Sequence, residues 1–405
     1  MKKIYYITAV FATLFLVGCG DGIDLPGVNV ETDLNKIPLP DNNVNLEQVE
    51  LKPSTEPMLH EGLHTEEDFQ RIRDKKAAGE EPWVSAYQLL VESQFSQKTA
   101  DTYPTEWIKR GISGVSGDEN YMNAARGATI VYQQALRWKI EQDDEYAAKA
   151  VENLNKWVQT CVGVTGNTNL SLAAGLYGYE FAIAGELLRD YGGWDRADFA
   201  SFQNWLLNIA AKMAIGIVTD RRDIYNEGIA HLQTGDTNGR LRRAIYHDYA
   251  PDYNFAQWQE SGRDQGHTLM CVGLMGIICQ LAWSQGDDFF AYDDNLFLRA
   301  CEYAACCNYT NETVPYTTYI WQKQSQWGYP IPEEQTTLGG GKWIKRAIWA
   351  LPYYHYKGIK NISDDNLKYT KIATEYVGIE GGGGYYDANS GGYDVLGLGT
   401  LMYAQ

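Results

Sequence analysis

Helical periodicity recurs along most of this chain and constrains its fold more than any other feature. Apolar residues return every three or four positions in one segment after another, whereas strand-like alternation is scarce. A capping box formed by Thr65 and Asp68 predicts the start of the first helix. The later helical segments are 121–140, 146–158, 170–188, 199–217, 261–283, 296–307, 343–356 and 364–377.

Long helices that follow one another without a fixed repeat period predict helical hairpins. Hairpins in such a number commonly close into a ring. We therefore predict an all-α fold, an α/α toroid in the form of an incomplete helical-hairpin barrel. Its central cleft would suit a polymer.

The N-terminus has the features of a bacterial export signal. Two lysines precede an apolar run from Ile4 to Val17, which is too short for a stable membrane span. Gly18 and Cys19 end the run like the lipobox of a lipoprotein, so Cys19 is the predicted lipidation site. We predict a signal peptide at 1–19, a flexible tether at 20–57 and the toroid at 58–405. No later segment is expected to have the uninterrupted apolar length needed to span a bilayer. The predicted location is the periplasm, outer membrane or cell surface of a Gram-negative bacterium.

Composition narrows the possible partners. A formal net charge of −18 over 405 residues argues against nucleic acid. The 29 Tyr and 12 Trp suit sugar stacking, although a large helical core uses aromatic residues equally well. An acidic polysaccharide would need a locally basic cleft, for which the obvious donors are the cluster Arg240, Arg242 and Arg243 and the pair Arg221 and Arg222. Solvated surface charge explains Arg221 and Arg222 at least as well. Oligomeric state stays open.

The cysteines beyond Cys19 show neither a disulfide framework nor zinc-ligand spacing. Several lie in apolar helical segments, which is typical of core cysteines. We predict no metal and no cofactor. The residues in question are Cys161, Cys271, Cys279, Cys301, Cys306 and Cys307.

The segment 257–268 carries the densest functional signal. Ser261 and Asp264 form a second capping box, which predicts a helix that starts at Ser261. Arg263 and His267 would then share one helical face near the positive helix end, where they could clamp a carboxylate. The alternative is a capped core helix in which Arg263 and His267 make structural pairs.

A tyrosine-rich segment, 242–253, comes just before it. Elimination next to a uronate needs a group that neutralises the carboxylate, a base for the C5 proton and an acid for the leaving oxygen. Tyr and His can act as base or acid when neighbouring charges tune their pKa values. The candidates in this segment are Tyr246, His247 and Tyr249, with Arg243 nearby.

Several motifs together resemble the alginate lyase superfamily of polysaccharide lyases, over nearly the whole chain after the tether. The resemblance implies an α/α toroid and β-elimination on alginate or a related polyuronate, with Tyr246 at the family's tyrosine position and Tyr249 second. The motifs are 260–268 (Glu-Ser-Gly-Arg-Asp-Gln-Gly-His-Thr), 282–288, 292–295, 302–303, 314–316, 79–83, 389–393 and 396–399.

One departure from the family concerns a block that contains a histidine and precedes the helix ending at Ile217. Here only about ten residues separate Trp194 from Asn204 and Trp205, and the histidine is absent. Asn204 and Trp205 are interpreted as the remnant of that block.

The sequence therefore predicts a uronan lyase in which Tyr246, Tyr249, His247, His267 and Arg263 are catalytic. The predicted substrate-binding residues are Asn204, Trp205, Arg243, Gln265 and Tyr303. Two other classes stay open: a non-catalytic glycan-binding lipoprotein, and a hydrolase of unsaturated uronides that uses Asp248, Asp264 or Glu260.

Overall fold

The computed structural model describes residues 54–111, 119–166, 169–207, 212–235, 239–324, 330–382 and 394–405. The signal peptide, Cys19, most of the tether and most of the glycine-rich segment 381–393 lie outside the described residues. The predicted domain bounds at 19 and 57 stay predictions.

Helices dominate the described chain, as the periodicity predicts. They are α1 (Glu66–Ala78), α2 (Trp83–Glu92), α3 (Tyr121–Glu141), α4 (Asp144–Thr160), α5 (Asn169–Leu188), α6 (Arg196–Leu206), α7 (Lys212–Val218), α8 (Arg222–Thr234), α9 (Leu241–Ala244), α10 (Gln265–Ser284), α11 (Tyr292–Tyr309), α12 (Ala350–Tyr354), α13 (Lys368–Val377) and α14 (Gly399–Tyr403).

Short helical turns and strands fill some of the connections. Single turns cover Gln94–Ser96, Gln259–Gly262, His355–Ile359 and Asp364–Leu367. The strands are β1 (Trp107–Arg110), β2 (Gly163–Gly166), β3 (Ile245–Asp248), β4 (Ala256–Trp258), β5 (Tyr319–Gln324) and β6 (Pro330–Gln335). They form three two-stranded ribbons: β1 and β2 are parallel, whereas β3–β4 and β5–β6 are antiparallel.

The helices close into the predicted α/α toroid. Along the inner layer α3 packs against α5, α5 against α7, and α7 against α10. The ring then continues through α12 and α14, and α14 contacts α1, which returns to α3. Arg71 on α1 fixes this closure by donating a hydrogen bond to the Met402 carbonyl at 2.7 Å.

The bounds of several helices differ between the prediction and the structure. The first capping box is confirmed, because Thr65 and Asp68 exchange hydrogen bonds at the start of α1. The single helix predicted at 199–217 is two helices, α6 and α7. The segment predicted as 343–356 is helical only from Ala350 onward. Trp343 has a left-handed backbone, and the Trp343 and Trp349 N–H groups donate to Asn308 and Glu380 outside the segment.

α10 is the central core helix. By length and composition it is long and apolar enough to cross a membrane, so the expectation that no later segment reaches that length is wrong. However, 78% of its most apolar window is buried inside the protein, as in a core helix. The six cysteines within the described residues are buried and unpaired, which confirms their prediction as core.

One end of the toroid gathers three helix starts. β1 leads to α3 and β2 leads to α5, and the two strands pair in parallel, so the N-terminal ends of α3 and α5 adjoin one ribbon. Arg110 on that ribbon and His267 at the start of α10 both lie within electrostatic range of the buried Asp394. The opposite end holds the C-terminal end of α10, where Gln285 contacts Leu59 and Glu61.

Candidate active site

The start of α10 differs from the predicted capping box. Asp264, not Ser261, is the N-cap: its side chain accepts a hydrogen bond from the His267 backbone N–H at 2.8 Å. Ser261 lies in the preceding turn and is fully buried. Asp264 is the better cap here because an ionised carboxylate also complements the positive helix end. Arg263 therefore precedes the helix, and the prediction that it shares a helical face with His267 is wrong.

Asp264 also fixes the ring of His267. Its Oδ2 lies 2.6 Å from His267 Nδ1. The tautomer that satisfies this contact carries its hydrogen on Nδ1 and leaves Nε2 as a proton acceptor. The side chains of His267 and Asp264 are 32% and 38% exposed, so a ligand can reach this pair.

Arg263 and Glu260 complete a compact charged group. The Arg263 guanidinium lies 3.4 Å from Glu260 Oε2 and 3.9 Å from Asp264 Oδ2. Burial raises the pKa of Glu260, against the opposing charges of Arg263 and His267. Burial also acts upward on Asp264, but its hydrogen bonds from His267 outweigh this and hold its pKa below the usual range. Two carboxylates, one guanidinium and one imidazole thus share the helix start.

The predicted tyrosines lie in a neighbouring cluster that centres on Thr317. Tyr246 on β3 is buried and donates to the Thr317 carbonyl. The Tyr249 hydroxyl lies 2.5 Å from Gln257 Oε1 and 3.0 Å from Thr317 Oγ1. Burial raises the pKa of Tyr246 well above its ordinary value and raises that of Tyr249 to about 12. These hydroxyls are therefore protonated at neutral pH.

Tyr316 and Tyr319 connect the tyrosines to the charged group. The Tyr319 hydroxyl accepts from the Gly262 N–H at 3.1 Å, and the Tyr319 ring centroid is 4.8 Å from that of Tyr246. A Cβ on Gly262 would lie 2.4 Å from the Tyr316 hydroxyl. Gly262 is therefore required for the turn before Arg263 to approach the tyrosines.

Ion pairs from α11 hold the strand that carries Tyr246. Arg299 donates to Asp248 at 2.7 and 3.0 Å, and Arg242 pairs with Asp293. These pairs engage Arg242 and Asp248 inside the protein. Arg242 is therefore a positioning residue for β3 and not the free cation of the predicted basic cleft.

His247 and Arg243 are half-buried beside this strand. Burial lowers the pKa of His247, and its Nδ1 has no hydrogen-bond partner in the described part of the chain. Unlike His267, His247 has no carboxylate within hydrogen-bond distance of its ring among the residues that the structure describes. Its nearest aromatic neighbour is Tyr249, at 4.5 Å between ring centroids.

The structure places three predicted substrate-binding residues in the interior. Gln265 is 1% exposed and hydrogen bonds with Ser261, Gly339 and Asn308. Tyr303 is fully buried and donates to the Pro315 carbonyl at 3.0 Å. The Trp205 indole donates to the Cys161 carbonyl at 2.9 Å and packs on Phe181. Packing and hydrogen bonds within the protein therefore engage all three side chains, and their assignment to substrate binding stays a prediction.

Asn204 is exposed near the end of α6, which packs against α4, α5 and α7. The charged group and the tyrosine cluster are formed by β3, β4, α10 and α11 and by the segments 259–264 and 315–319. The structure thus brings together Tyr246, Tyr249, His247, Arg263 and His267, and it places Asn204 on a different helix.

The sequence does not predict the contacts of two residues beside the site. Asp264 is predicted as a capping residue and as a candidate acid of the alternative hydrolase, although its spacing to His267 also allows it to orient that ring. Tyr316 was noticed only as part of a motif. No local signal could place it beside Gly262, because 54 positions separate the two residues.

Comparison with known proteins bears on this arrangement. The family model for alginate lyase matches residues 74–215. Solved structures similar to the chain include alginate lyase A1-III in apo form (12% identity, TM-score 0.54, covering 85% of this chain and 96% of that one). A variant of A1-III complexed with a tetrasaccharide is 13% identical, with a TM-score of 0.54, and the match covers 85% and 95% of the two chains.

An alginate lyase from Bacteroides ovatus is 13% identical with a TM-score of 0.51, covering 78% of this chain and 94% of that one. No curated protein matches the chain by sequence. The matches confirm the predicted resemblance to the alginate lyase superfamily and the α/α toroid.

Proposed function

We propose that this chain, which has the fold and part of the family signature of the alginate lyases, is a polysaccharide lyase. Its substrate would be alginate or a related polyuronate, cleaved by β-elimination. The A1-III structure complexed with a tetrasaccharide supports an oligosaccharide ligand for this fold. The observation that carries the proposal is the partly exposed Asp264–His267 pair beside Arg263 at the start of α10.

Each part of the reaction has a group of suitable chemistry. Arg263 would pair with the uronate carboxylate, which makes the C5 proton more acidic. His267 Nε2 would remove that proton, and the electron pair would form the C4–C5 double bond as the C4–O bond breaks. Asp264 would stabilise the imidazolium that results. The leaving oxygen would take a proton from a tyrosine.

The tyrosine cluster suits an acid better than a base. Since burial raises the pKa values of its hydroxyls, they keep their protons at neutral pH and can donate them. Tyr246 has the family position, whereas Tyr316 is half-exposed and lies nearest the turn before Arg263. The acid would be one of these two.

The hydrolase alternative is not favoured by the geometry. Its acids would be two free carboxylic groups that face a cleft. Asp248 is engaged by Arg299, Glu260 is buried against Arg263, and Asp264 is held by His267.

A non-catalytic glycan-binding lipoprotein remains the second candidate. It is favoured by the Tyr246 hydroxyl, which donates to the Thr317 carbonyl inside the protein, and by the absent histidine before Asn204. A binding protein would keep the Arg263 and His267 clamp without proton transfer.

The ultraviolet absorbance of the unsaturated product tests the two candidates. Full-length protein is incubated with alginate, polymannuronate and glucuronan. Rising absorbance that is lost in His267→Ala would establish the lyase. A flat trace on all three polymers, together with measurable binding to one, would establish the binding protein instead.

The export route is a separate part of the proposal. The lipobox-like run ending at Cys19 supports a lipid anchor that holds the toroid at the bacterial membrane. Labelling of cells with a radioactive fatty acid should mark the wild-type protein and not Cys19→Ser. Equal labelling of both would refute the anchor.

A further inference from the structure

Arg110, at the end of β1, lies among aromatic side chains at the same end of the toroid as the charged group. Its guanidinium carbon is 4.6 Å from the centre of the Tyr121 ring, and its Nη1 donates to the Tyr177 hydroxyl at 3.1 Å. The Tyr121 and Tyr177 rings are themselves stacked, with centroids 6.3 Å apart. The guanidinium is thereby held in one orientation.

Hydrogen bonds and close packing fix the backbone of β1 as well as the Arg110 side chain. Lys109 N donates to Asn120 Oδ1 at 2.7 Å, and Asn120 Nδ2 donates to the Trp107 carbonyl at 2.9 Å. On the other side Gly166 packs directly on the Arg110 carbonyl. A Cβ on Gly166 would lie 1.7 Å from that oxygen, so only glycine fits. This rigidity is what a binding residue needs.

Arg110 keeps an unneutralised charge. No carboxylate of the described residues forms an ion pair with it, and the residue is half-exposed. The nearby Asp394 is buried and already paired with Arg346 at 3.0 Å. Arg110 has five N–H donors, of which the Tyr177 hydroxyl takes one. The others can donate to the oxygens of a planar carboxylate.

Asp394 places Arg110 near His267. Tyr179, two residues after Tyr177 on α5, donates to the Asp394 carbonyl at 2.9 Å. Burial raises the pKa of Asp394, while the charges of Arg346, Arg110 and His267 act in the opposite direction. The Arg110 guanidinium and the His267 ring therefore both lie within electrostatic range of the same buried carboxylate, Arg110 from the side of α5 and His267 from the side of α10.

We propose that Arg110 and Tyr121 form a second uronate subsite, which binds the carboxylate and ring face of a sugar next to the one held by Arg263 and His267. The subsite rests on the proposed function, because it assumes that the ligand is a polyuronate. It explains how a chain of net charge −18 can hold an anionic polymer: the Arg110 guanidinium is a local, fixed charge without a carboxylate partner among the described residues.

Equilibrium binding tests the subsite apart from catalysis. Calorimetric titrations use full-length His267→Ala protein, which should not consume the ligand, with tetramers of mannuronate, guluronate and glucuronate. Adding Arg110→Gln to this protein should raise the Kd for the preferred tetramer roughly 10- to 100-fold, the loss of affinity typical of a charge-assisted contact. Neutral mannotetraose should bind equally to both proteins.

Arg221→Gln is the matched control, since it removes the same charge at an exposed position. It precedes α8, whose Tyr225 bonds to Asp287 just after the C-terminal end of α10, so it lies at the opposite end of the toroid. Tyr121→Leu, which removes the aromatic ring but no charge, should also raise the Kd for the tetramer. Unchanged thermal unfolding of each variant excludes misfolding.

The outcomes separate the two proposals. Tetramer binding within twofold of the parent in Arg110→Gln, or an equal loss in Arg221→Gln, would overturn the subsite even if the wild type is a lyase. Arg110-dependent binding without any turnover by the wild type would keep the subsite and refute the elimination. If no uronate tetramer binds and no polymer is cleaved, both proposals fail.

Discussion

Two polar groups lie side by side at one end of the toroid, and they differ in what a ligand can reach. The charged group of Glu260, Arg263, Asp264 and His267 includes side chains that are a quarter to two-fifths exposed. The tyrosine cluster is largely buried, and its hydroxyls bond to Thr317, Gln257 and Gln335. We infer that proton abstraction belongs to the first group, and that the second supplies proton donation and support.

The largest expected effect tests that inference with two histidines. His267→Ala should lower kcat about 10³-fold, because it removes a base that a carboxylate orients. His247→Ala should lower kcat by less than about 10-fold, since no carboxylate holds that ring. Initial rates of product absorbance give both values. A larger loss of kcat in His247→Ala than in His267→Ala would assign the catalytic base to the tyrosine cluster instead.

Asp264→Asn should have the next largest effect. Asparagine keeps the helix cap but no longer stabilises the imidazolium, so kcat should fall on the order of 10²-fold with little change in thermal unfolding. Asp264→Ala, which also loses the cap, should cost about 1 kcal/mol of stability in addition. Full activity in Asp264→Asn would show that the pair is only structural.

The tyrosine cluster should separate into one acid and several supports. Of Tyr246→Phe and Tyr316→Phe, one should lower kcat about 10²-fold, and the other should keep most of its turnover. Tyr246→Phe should cost only about 1 kcal/mol of stability, because Gln257 Nε2 still donates to the Thr317 carbonyl at 3.1 Å. Kinetics and thermal melts of both variants provide the test. Full turnover in both would exclude a tyrosine acid at these positions.

The smallest effect concerns a buried carboxylate remote from the ligand. Glu380 accepts from the Trp349 and Ala350 N–H groups at 2.7 and 2.8 Å, and burial raises its pKa to about 7. A raised folded pKa gives stability that is present below the ordinary carboxyl range and is lost as pH rises through about 7. The melting temperature should therefore fall by a few degrees (~1–3 kcal/mol) across that window, and less in Glu380→Gln.

Asp264 should contribute a pH dependence of stability whose sign is opposite to that of Glu380. Its lowered pKa means that its contribution is present above the ordinary carboxyl range and is lost as pH falls through the folded value. Melts of Asp264→Asn in acid should therefore show a weaker pH dependence than the wild type. An unchanged acid profile would contradict the hydrogen bonds that lower this pKa.

Local sequence patterns predicted a large part of the fold. The Thr65 capping box, the helices α3 to α5 and the buried cysteines follow from periodicity and capping chemistry, which act within a few residues. The start of α10 was mispredicted because Ser261 and Asp264 are both good caps. Contacts with a distant segment of the toroid fix Asp264 as the N-cap. The Gly339 N–H donates to the Ser261 carbonyl at 2.8 Å, and the Gln265 N–H donates to the Gly340 carbonyl at 2.8 Å.

The site shows the same limit. Arg263, His267 and Tyr246 could be chosen by residue type and family position. The interior places of Gln265, Tyr303 and Trp205 could not be foreseen, because burial depends on elements that are distant in sequence. Tyr303, for example, packs against Tyr249 and Phe255.

By itself the sequence predicted the helical toroid that the structure shows, and it also predicts an export signal and the chemical types that a uronate elimination needs. These are encoded in periodicity, in the N-terminal pattern and in short motifs. Only the tertiary structure decided which types meet water and which meet the core. Closure of the toroid brings Asp394 within electrostatic range of Arg110 and His267, buries Tyr246 against Thr317 and leaves His267 partly exposed, since it joins segments that are dozens to hundreds of residues apart.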